Sequence, residues 1–387
     1  MVSKKRLGEI ALLQRGLTYN KGDEVPSSSK IVLRSNNIDL DSHSLDLSEL
    51  KYLREDFVIP EDRKVKKDSI FICMSNGSKQ HVGKVAFIDR DMDYAFGGFM
   101  GLIIPKPSIS AKYVFYACNS SSYRTFLSQI GNGIGITNLR FSELEKFEIP
   151  VPSIEEQQRI VDELDLLAGI LDKKNAQLRD LDALAQSIFY EMFGDPITND
   201  KGWECCALKD VATIVGGSTP KTNIEEYWGG SNYWVTPAEL HGERYYGATE
   251  RTISDLAVKS TNLTLLPIGT VLLSSRAPIG KVAITTVPMY CNQGFKNVIC
   301  SDRINNEYIC QALRGKTEYL QALGTGATFK EISKKTTENI KIAIPPLALQ
   351  KKFAAKVQMI EQQKKVVAQS LVDAQALFDS KMSHYFV

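Results

Sequence analysis

The sequence predicts a mixed α/β (α+β-like) fold: two tandem globular domains, each followed by a long α-helix, the two helices pairing as an antiparallel coiled coil. Three observations predict it. The two halves match each other in order, each half runs into a long apolar seam, and within each half short β-branched or aromatic runs are broken by Gly, Pro, Asn and Ser. At 387 residues the chain is long enough for two domains, each with its own core.

The repeat comes first because it organises everything else. Residues 147–160 line up with 340–353 at an offset of 193, which places Pro152 on Pro345 and Gln157 on Gln350. Upstream, residues 82–86 (VGKVA) match 279–283 (IGKVA), and Gly97-Gly98-Phe99 answers Gln293-Gly294-Phe295. Gly131-Asn132-Gly133 answers Gly324-Thr325-Gly326, and residues 7–11 answer 208–212. Any one match could be chance; five in the same order are a duplication. The boundaries that follow are 1–152 and 195–346 for the domains, 153–194 and 347–387 for the helices.

Each helix carries its own regularity. Ile160, Leu164, Leu167, Leu171, Lys174, Leu178, Leu181, Ala185, Ile188 and Met192 alternate by four and three. Adding 193 gives Phe353, Val357, Ile360, Lys364, Val367, Leu371, Ala374, Phe378, Lys381 and Tyr385. Both sets keep the 3.5-residue period of a coiled-coil seam. Ser153 with Glu156 forms a capping-box signal, Pro345-Pro346 precedes the second helix, and Gly194 followed by Pro196 ends the first. Residues 151–193 hold nine acidic and four basic side chains, net −5, whereas 347–387 hold six basic and three acidic, net +3. Opposite signs favour pairing of the helices with each other over self-association. The alternative, each helix packed only on its own domain, leaves roughly nine turns of seam unexplained. The intervening domain gives the chain room to return in either direction, and the antiparallel arrangement puts one domain at each end.

Within the halves, residues 70–73, 84–88, 101–105, 270–273 and 281–285 read as strands, and 113–130 and 307–323 as one helix per half. Composition is that of a globular protein, 43% hydrophobic and 24% charged, with net charge +2. The halves are about +3 and +1, so a basic surface must be local. The N-terminus lacks an apolar stretch of signal-peptide length, and no run approaches the ~18 apolar residues of a membrane span. Seven cysteines without a Cys-x-x-Cys pair argue against a disulfide framework or zinc site, and for a reducing cytoplasm. Four scattered histidines offer no metal-ligand spacing.

Signals of catalysis are weak. The Ile279-Gly280-Lys281 and Val82-Gly83-Lys84 stretches lack the upstream glycine and following hydroxyl of a phosphate-binding loop. There is no cofactor-binding glycine loop and no Asn-Pro-Pro or Asp-Pro-Pro tetrad of an amino-methyltransferase. Pro60-Glu61-Asp62-Arg63-Lys64 has the residues of a nuclease carboxylate–lysine cluster, but no counterpart in the second half, and reads better as a charged turn. Trp203, Trp228 and Trp234 read as core or turn anchors rather than base-stacking platforms.

The loops are richer. The first half offers Arg15, Arg34, Asn36, Asn37, Ser75, Asn76, Lys79, Lys84, Asn138 and Arg140. The second offers Thr219, Lys221, Ser275, Arg276, Lys281 and Lys330, with Thr328 and Phe329 beside the last. Arg and Lys suit guanine, Asn suits adenine, and Ser or Thr can serve either, so these are candidate DNA contacts; polar glycine-rich surface turns are the bland alternative. Helices of about 38 residues at ~1.5 Å rise span roughly 57 Å, which bounds the separation of two DNA half-sites at about 17 base pairs.

The combination resembles the specificity (S) subunit of type I restriction–modification enzymes, over essentially the whole chain. The likeness is carried by Gly216-Gly217-Ser218-Thr219-Pro220, Tyr227-Trp228-Gly229-Gly230 with Trp234-Val235-Thr236-Pro237, and Ser275-Arg276 with residues 279–283. Residues 149–152 with Glu156-Gln157, 344–347 with Gln350, and 187–196 complete it. The first half departs from the pattern, with Gln14-Arg15-Gly16-Leu17-Thr18 in place of the Gly-Gly-Ser-Thr-Pro stretch and no Tyr-Trp-Gly-Gly equivalent. The resemblance implies two target-recognition domains, each reading one part of a split double-stranded DNA site. It also implies long helices that act as spacer and dock two methyltransferase subunits, joined by restriction (translocase/nuclease) subunits. The docking and coiled-coil residues would be Leu164, Leu167, Leu171, Leu178, Leu181, Ile188, Val357, Ile360, Val367, Leu371 and Phe378. The S subunit is implied to be non-catalytic and to need no cofactor. A coiled-coil scaffold that binds only protein partners, and a self-contained nuclease using Asp62 and Lys64, stay open at this point.

Overall fold

The computed structural model describes residues 2–40, 42–78, 80–130, 137–276, 278–326 and 330–387. Lys79, the Gly131-Asn132-Gly133 match, Thr328 and Phe329 lie outside the described residues. The chain forms two compact units, residues 1–175 with 369–387, and residues 176–368.

The first unit is built on a four-stranded antiparallel sheet in the order Ala11–Arg15, Met100–Pro105, Ser69–Cys73, Val85–Ile88. Ser69–Cys73 is buried at every position, as a central strand covered on both faces must be. A second sheet runs Glu24–Val25, Lys51–Leu53, Lys30–Leu33, Tyr94–Phe96, the last pair parallel. The second unit repeats the plan. Its larger sheet runs Ala212–Gly216, Lys296–Cys300, Val271–Leu273, Val282–Thr285, Tyr245–Tyr246, beside a three-stranded sheet of Arg251–Ile253, Trp228–Val235 and Tyr290–Cys291. A small antiparallel pair closes each half, Lys4–Arg6 with Glu148–Pro150 and Cys205–Ala207 with Lys341–Ala343.

Two expectations are corrected. The single helix expected over 113–130 is two, Ala111–Ala117 and Ser121–Ile130, because the Ser120 hydroxyl accepts from the Tyr123 amide and starts a new helix. The one expected over 307–323 divides likewise into Asn306–Arg314 and Thr317–Ala322, broken at Gly315-Lys316. The second correction is a slip of one residue in the repeat. Gly101 faces Arg15, and Lys296 faces Gly216, so it is Met100, not Phe99, that stands where Phe295 stands. Met100 and Phe295 are both buried, whereas Phe99 is 73% exposed; pairing the phenylalanines would turn one of them to the wrong face.

The long helices are Ile154–Phe193 and Leu347–Phe386. Every seam position named above is buried or half-buried. In the first unit the Glu163 carboxylate takes the Lys381 ammonium at 2.6 Å and the Tyr385 hydroxyl at 2.5 Å; in the second, Lys364 meets Asp182 at 2.6 Å. Residue numbers rise on one helix as they fall on the other, so the pair is antiparallel, and the basic helix does meet the acidic one. Leu181, Ala185, Ile360 and Val367 form the apolar layer of the seam in the second unit.

Each unit is locked the same way. Gln157 is buried: its amide donates to the Pro152 carbonyl at 2.9 Å, and its oxygen accepts from the Ser110 amide at 2.9 Å. Gln350 does the same with Pro345 at 2.7 Å and Asn305 at 2.8 Å. Above these clasps, Tyr113 packs on Phe386 and Tyr308 on Phe193, ring centroids 5.0 and 4.8 Å apart. Each globular half thus holds the start of one long helix and the end of the other.

Replacing Gln350 by Leu keeps the volume but leaves a buried amide and carbonyl without partners. The expected cost is roughly 2–3 kcal/mol, read as an earlier unfolding transition in calorimetry of the full chain. An unchanged transition would mean that the clasp is dispensable. The Lys381 and Tyr385 hydrogen bonds hold the Glu163 carboxyl below its usual titration range. A depressed carboxyl stabilises the fold above the ordinary carboxylate range and loses that contribution as the pH falls from that range through its own lowered value. Acid unfolding below about pH 5 should therefore be shallower in Lys381→Met than in the unchanged chain, measured by circular dichroism.

Candidate nucleic-acid interface

The polar loops gather at matching ends of the two main sheets. In the first half the chain leaves Ala11–Arg15 through Gly16, where a Cβ would stand 2.0 Å from the Gly97 carbonyl oxygen. In the second it leaves Ala212–Gly216 through Gly217, where a Cβ would stand 2.1 Å from the Cys291 carbonyl oxygen. Only glycine lets the loop cross so close to the neighbouring strand.

In the first half this crossing floors a cleft of about 970 Å³. Arg15, Arg34, Asn36, Ser75 and Asn76 line it together, with Tyr19, Lys51, Glu24 and Phe99, so five sequence candidates converge on one place. Arg34 is held by its amide, which donates to Asn37 Oδ1 at 2.8 Å, while its buried Nε has no partner among the described residues. The Asn76 amide donates to Ser35 Oγ at 2.7 Å, and Ser75 Oγ to the Thr137 carbonyl at 3.0 Å. Burial and the neighbouring Glu24 push the Tyr19 hydroxyl above its ordinary value, so it stays a donor. Asn138 and Arg140 are exposed nearby in sequence to that strand end, Asn138 bridging to Ser75 through the backbone; Lys84 is half-buried.

In the second half the loop 216–221 rests on two tryptophans. Trp234 Nε1 donates to the Ser218 carbonyl at 3.1 Å and Trp228 Nε1 to the Lys221 carbonyl at 3.3 Å. Trp203 instead caps the first long helix, its Nε1 donating to the Phe193 carbonyl at 2.9 Å. The Thr219 hydroxyl donates to Gln293, and Lys296 Nζ reaches Ser275 Oγ at 3.3 Å and the Glu331 carboxylate at 3.0 Å. Arg276 is half-buried and bridges to Glu331 through the backbone; Lys221 and Lys330 are exposed.

The structure puts some candidates out of reach. Asn37 is 1% exposed, its amide donating to the Asp46 and Glu49 carbonyls at 2.8 and 2.9 Å, so it builds the loop rather than offering an edge. Ser275 is also 1% exposed, its hydroxyl donating to the Gly294 carbonyl at 3.1 Å. Lys281 directs its ammonium to the Pro237 carbonyl at 2.9 Å. Sequence reasoning in turn missed Tyr19, Gln293 and Arg251. Arg251 is exposed with its guanidinium 3.7 Å from the centre of the Trp228 ring, and only the folded sheet brings the two together.

Among the described residues no group of three or more His, Cys, Asp or Glu side chains is placed to hold a metal ion. Lys64 is held by Glu61 and Asp93, both at 2.8 Å, so the 60–64 stretch is a charged turn with its lysine occupied. Burial pushes the Cys73 thiol up to about 11 and those of Cys118, Cys291 and Cys300 up to about 12, which leaves them poor nucleophiles. No helix among the described residues is long and apolar enough to cross a membrane.

The type I restriction modification DNA specificity domain matches residues 2–180 and again 200–369. The chain is 42% identical over 158 residues to the MjaIX specificity subunit of Methanocaldococcus jannaschii, which is 40% of this chain but only 37% of that subunit. To the putative MjaX specificity subunit of the same organism it is 24% identical over 379 residues, 91% of this chain and 84% of that one. The fold is similar to that of an S subunit from M. genitalium, TM-score 0.58 at 15% identity, covering 100% of this chain and 96% of that one. With two matched copies spanning most of its length, the chain belongs to the type I restriction modification DNA specificity domain family.

Proposed function

We propose that this chain is the DNA sequence-recognition subunit of a type I restriction–modification complex, acting in the cytoplasm on double-stranded DNA. Each half reads one part of a bipartite site, and the paired helices fix the spacing and dock two methyltransferase subunits, which restriction subunits then join. The chain itself is non-catalytic and uses no cofactor. The observation that carries this reading is the duplicated polar loop cluster, set at the same place in both halves of a chain with two copies of a DNA specificity domain. A scaffold binding only protein explains the seam but gives no reason for the clusters.

The division of labour follows from charge. Exposed lysines such as Lys221 and Lys330 suit phosphates, which position without reading sequence. Arg34 and Arg276 sit on pinned backbone and suit base edges, where a good bidentate pair discriminates by about 1–3 kcal/mol.

Two outcomes test the proposal. With its methyltransferase partner, the chain should bind a split site found by mapping methylated bases in the host genome. Inserting or deleting one base pair between the half-sites should abolish selective binding; equal binding to all duplexes would overturn the reading. Arg276→Ala should relax sequence preference by roughly 5- to 150-fold at one half-site only. Equal loss at both would show that the halves do not read independently.

A further inference from the structure

In the register set by the sheets, the two halves present different side chains at the same point of the fold. In the first, Cys73 faces Met100; in the second, Ser274 faces Phe295. It follows that Phe99 corresponds to Gly294, and Ser75 to Arg276. The backbone confirms the match. The Phe99 carbonyl accepts from the Met74 and Ser75 amides at 2.9 and 3.1 Å, and the Gly294 carbonyl accepts from the Ser275 amide at 2.8 Å. The next layer agrees too, with the Leu139 amide donating to Met74 O at 2.7 Å and the Ile332 amide to Ser275 O at 3.0 Å. Ser75 bridges to Asn138 as Arg276 bridges to Glu331.

On this shared platform the side chains are exchanged. The first half carries a small Ser75 and a projecting Phe99, 73% exposed, belonging to no apolar core cluster and lining the cleft beside Arg34, Asn36 and Asn76. The second half carries Gly294 and lays Arg276 across it, so that a Cβ on the glycine would stand 3.3 Å from Arg276 Nε. Scattered apolar side chains on a surface need no explanation. An aromatic ring on a doubly hydrogen-bonded carbonyl, projecting into a cleft lined by Arg34, Asn36 and Asn76 at the site where the other half lays a guanidinium over a glycine, does.

We propose that Phe99 and Arg276, which occupy one site of the shared platform from different positions in the two halves, are specificity-determining residues of opposite chemistry: Phe99 reads the 5-methyl group of a thymine by apolar contact, and Arg276 the O6/N7 edge of a guanine in the other half-site. Both groups lie in the major groove. The inference rests on the proposed DNA-recognition function and adds to it which chemical feature each half selects.

The test uses the full chain with its methyltransferase partner, and a synthetic duplex selected by the unchanged complex from a random pool. Each thymine of that duplex is replaced in turn by deoxyuridine, which removes only the methyl group, and each guanine by 7-deazaguanine, which removes N7. One thymine in one half-site should show about a fourfold loss on replacement, the weight of one buried methyl group at ~0.8 kcal/mol. Phe99→Ala should bind the thymine and uracil duplexes alike and match the unchanged complex on the uracil duplex, which also controls for folding. Arg276→Ala, which leaves no donor for the guanine edge, should lose sensitivity to 7-deazaguanine in the other half-site. The proposal falls if no thymine is sensitive, if Phe99→Ala still discriminates, or if both variants act on the same half-site. If the complex selects no duplex at all, it is the proposed function that fails, and this inference with it.

Discussion

The structure depends on two buried glutamines. Gln157 and Gln350 stand one turn inside the long helices, and each closes a circuit between a proline carbonyl before the helix and the amide that begins a helix of the globular half. A buried primary amide costs several kcal/mol unless donor and acceptor are both satisfied, so the circuit closes in one geometry only. That geometry fixes the direction in which each long helix leaves its half. The seam, the ion pairs of Glu163 and Asp182, and the ring packing of Phe193 and Phe386 all follow from helices that start at the right angle.

The duplication has been conserved in what it builds and released in what it displays. The strand crossings at Gly16 and Gly217, the bridges of Ser75 and Arg276, and the tyrosine hydroxyls of Tyr113 and Tyr308 on main-chain carbonyls recur residue for residue within the two halves. Where a side chain leaves that frame, the halves differ. The first sets Tyr116 and Lys112 on Asp165, whereas the second buries Arg244 among Glu307, Gln311 and Glu361, burial pushing the Glu307 carboxyl up even beside that arginine.

The fold was legible in the sequence wherever a period or a repeated turn carried the information. The 3.5-residue seam located both long helices, and the buried runs around Ile70, Ile103 and Val271 located the central strands. The cap at Ser153 was legible, but the one inside the first domain was not: in the polar run 119–122 nothing singles out Ser120 as the hydroxyl that restarts a helix. Nor was register, because matching Phe99 to Phe295 rewards identity while the sheet rewards burial. The site was legible as composition only. The sequence names donors and acceptors but not their neighbours, so Asn37 and Ser275 looked available although the fold uses them internally, and Arg251 looked ordinary until Trp228 was placed beneath it.

A net charge of +2 is small for the DNA-reading role proposed above, and that low charge gives a reason for the double architecture. Binding driven by phosphates scales with the number of counterions released, and in halves of net charge about +3 and +1 only a local cluster of lysines and arginines can release them. Each half alone would hold its segment weakly. Joined on one chain, the second contact becomes intramolecular, and affinity rises by the effective concentration without any new basic surface. The gain vanishes if the second segment is out of reach, so low charge turns distance itself into a recognised feature. A strongly basic chain would bind regardless of spacing. In the proposed role the acidic first helix, which cancels much of the positive charge of the halves, would serve recognition as directly as the loops do.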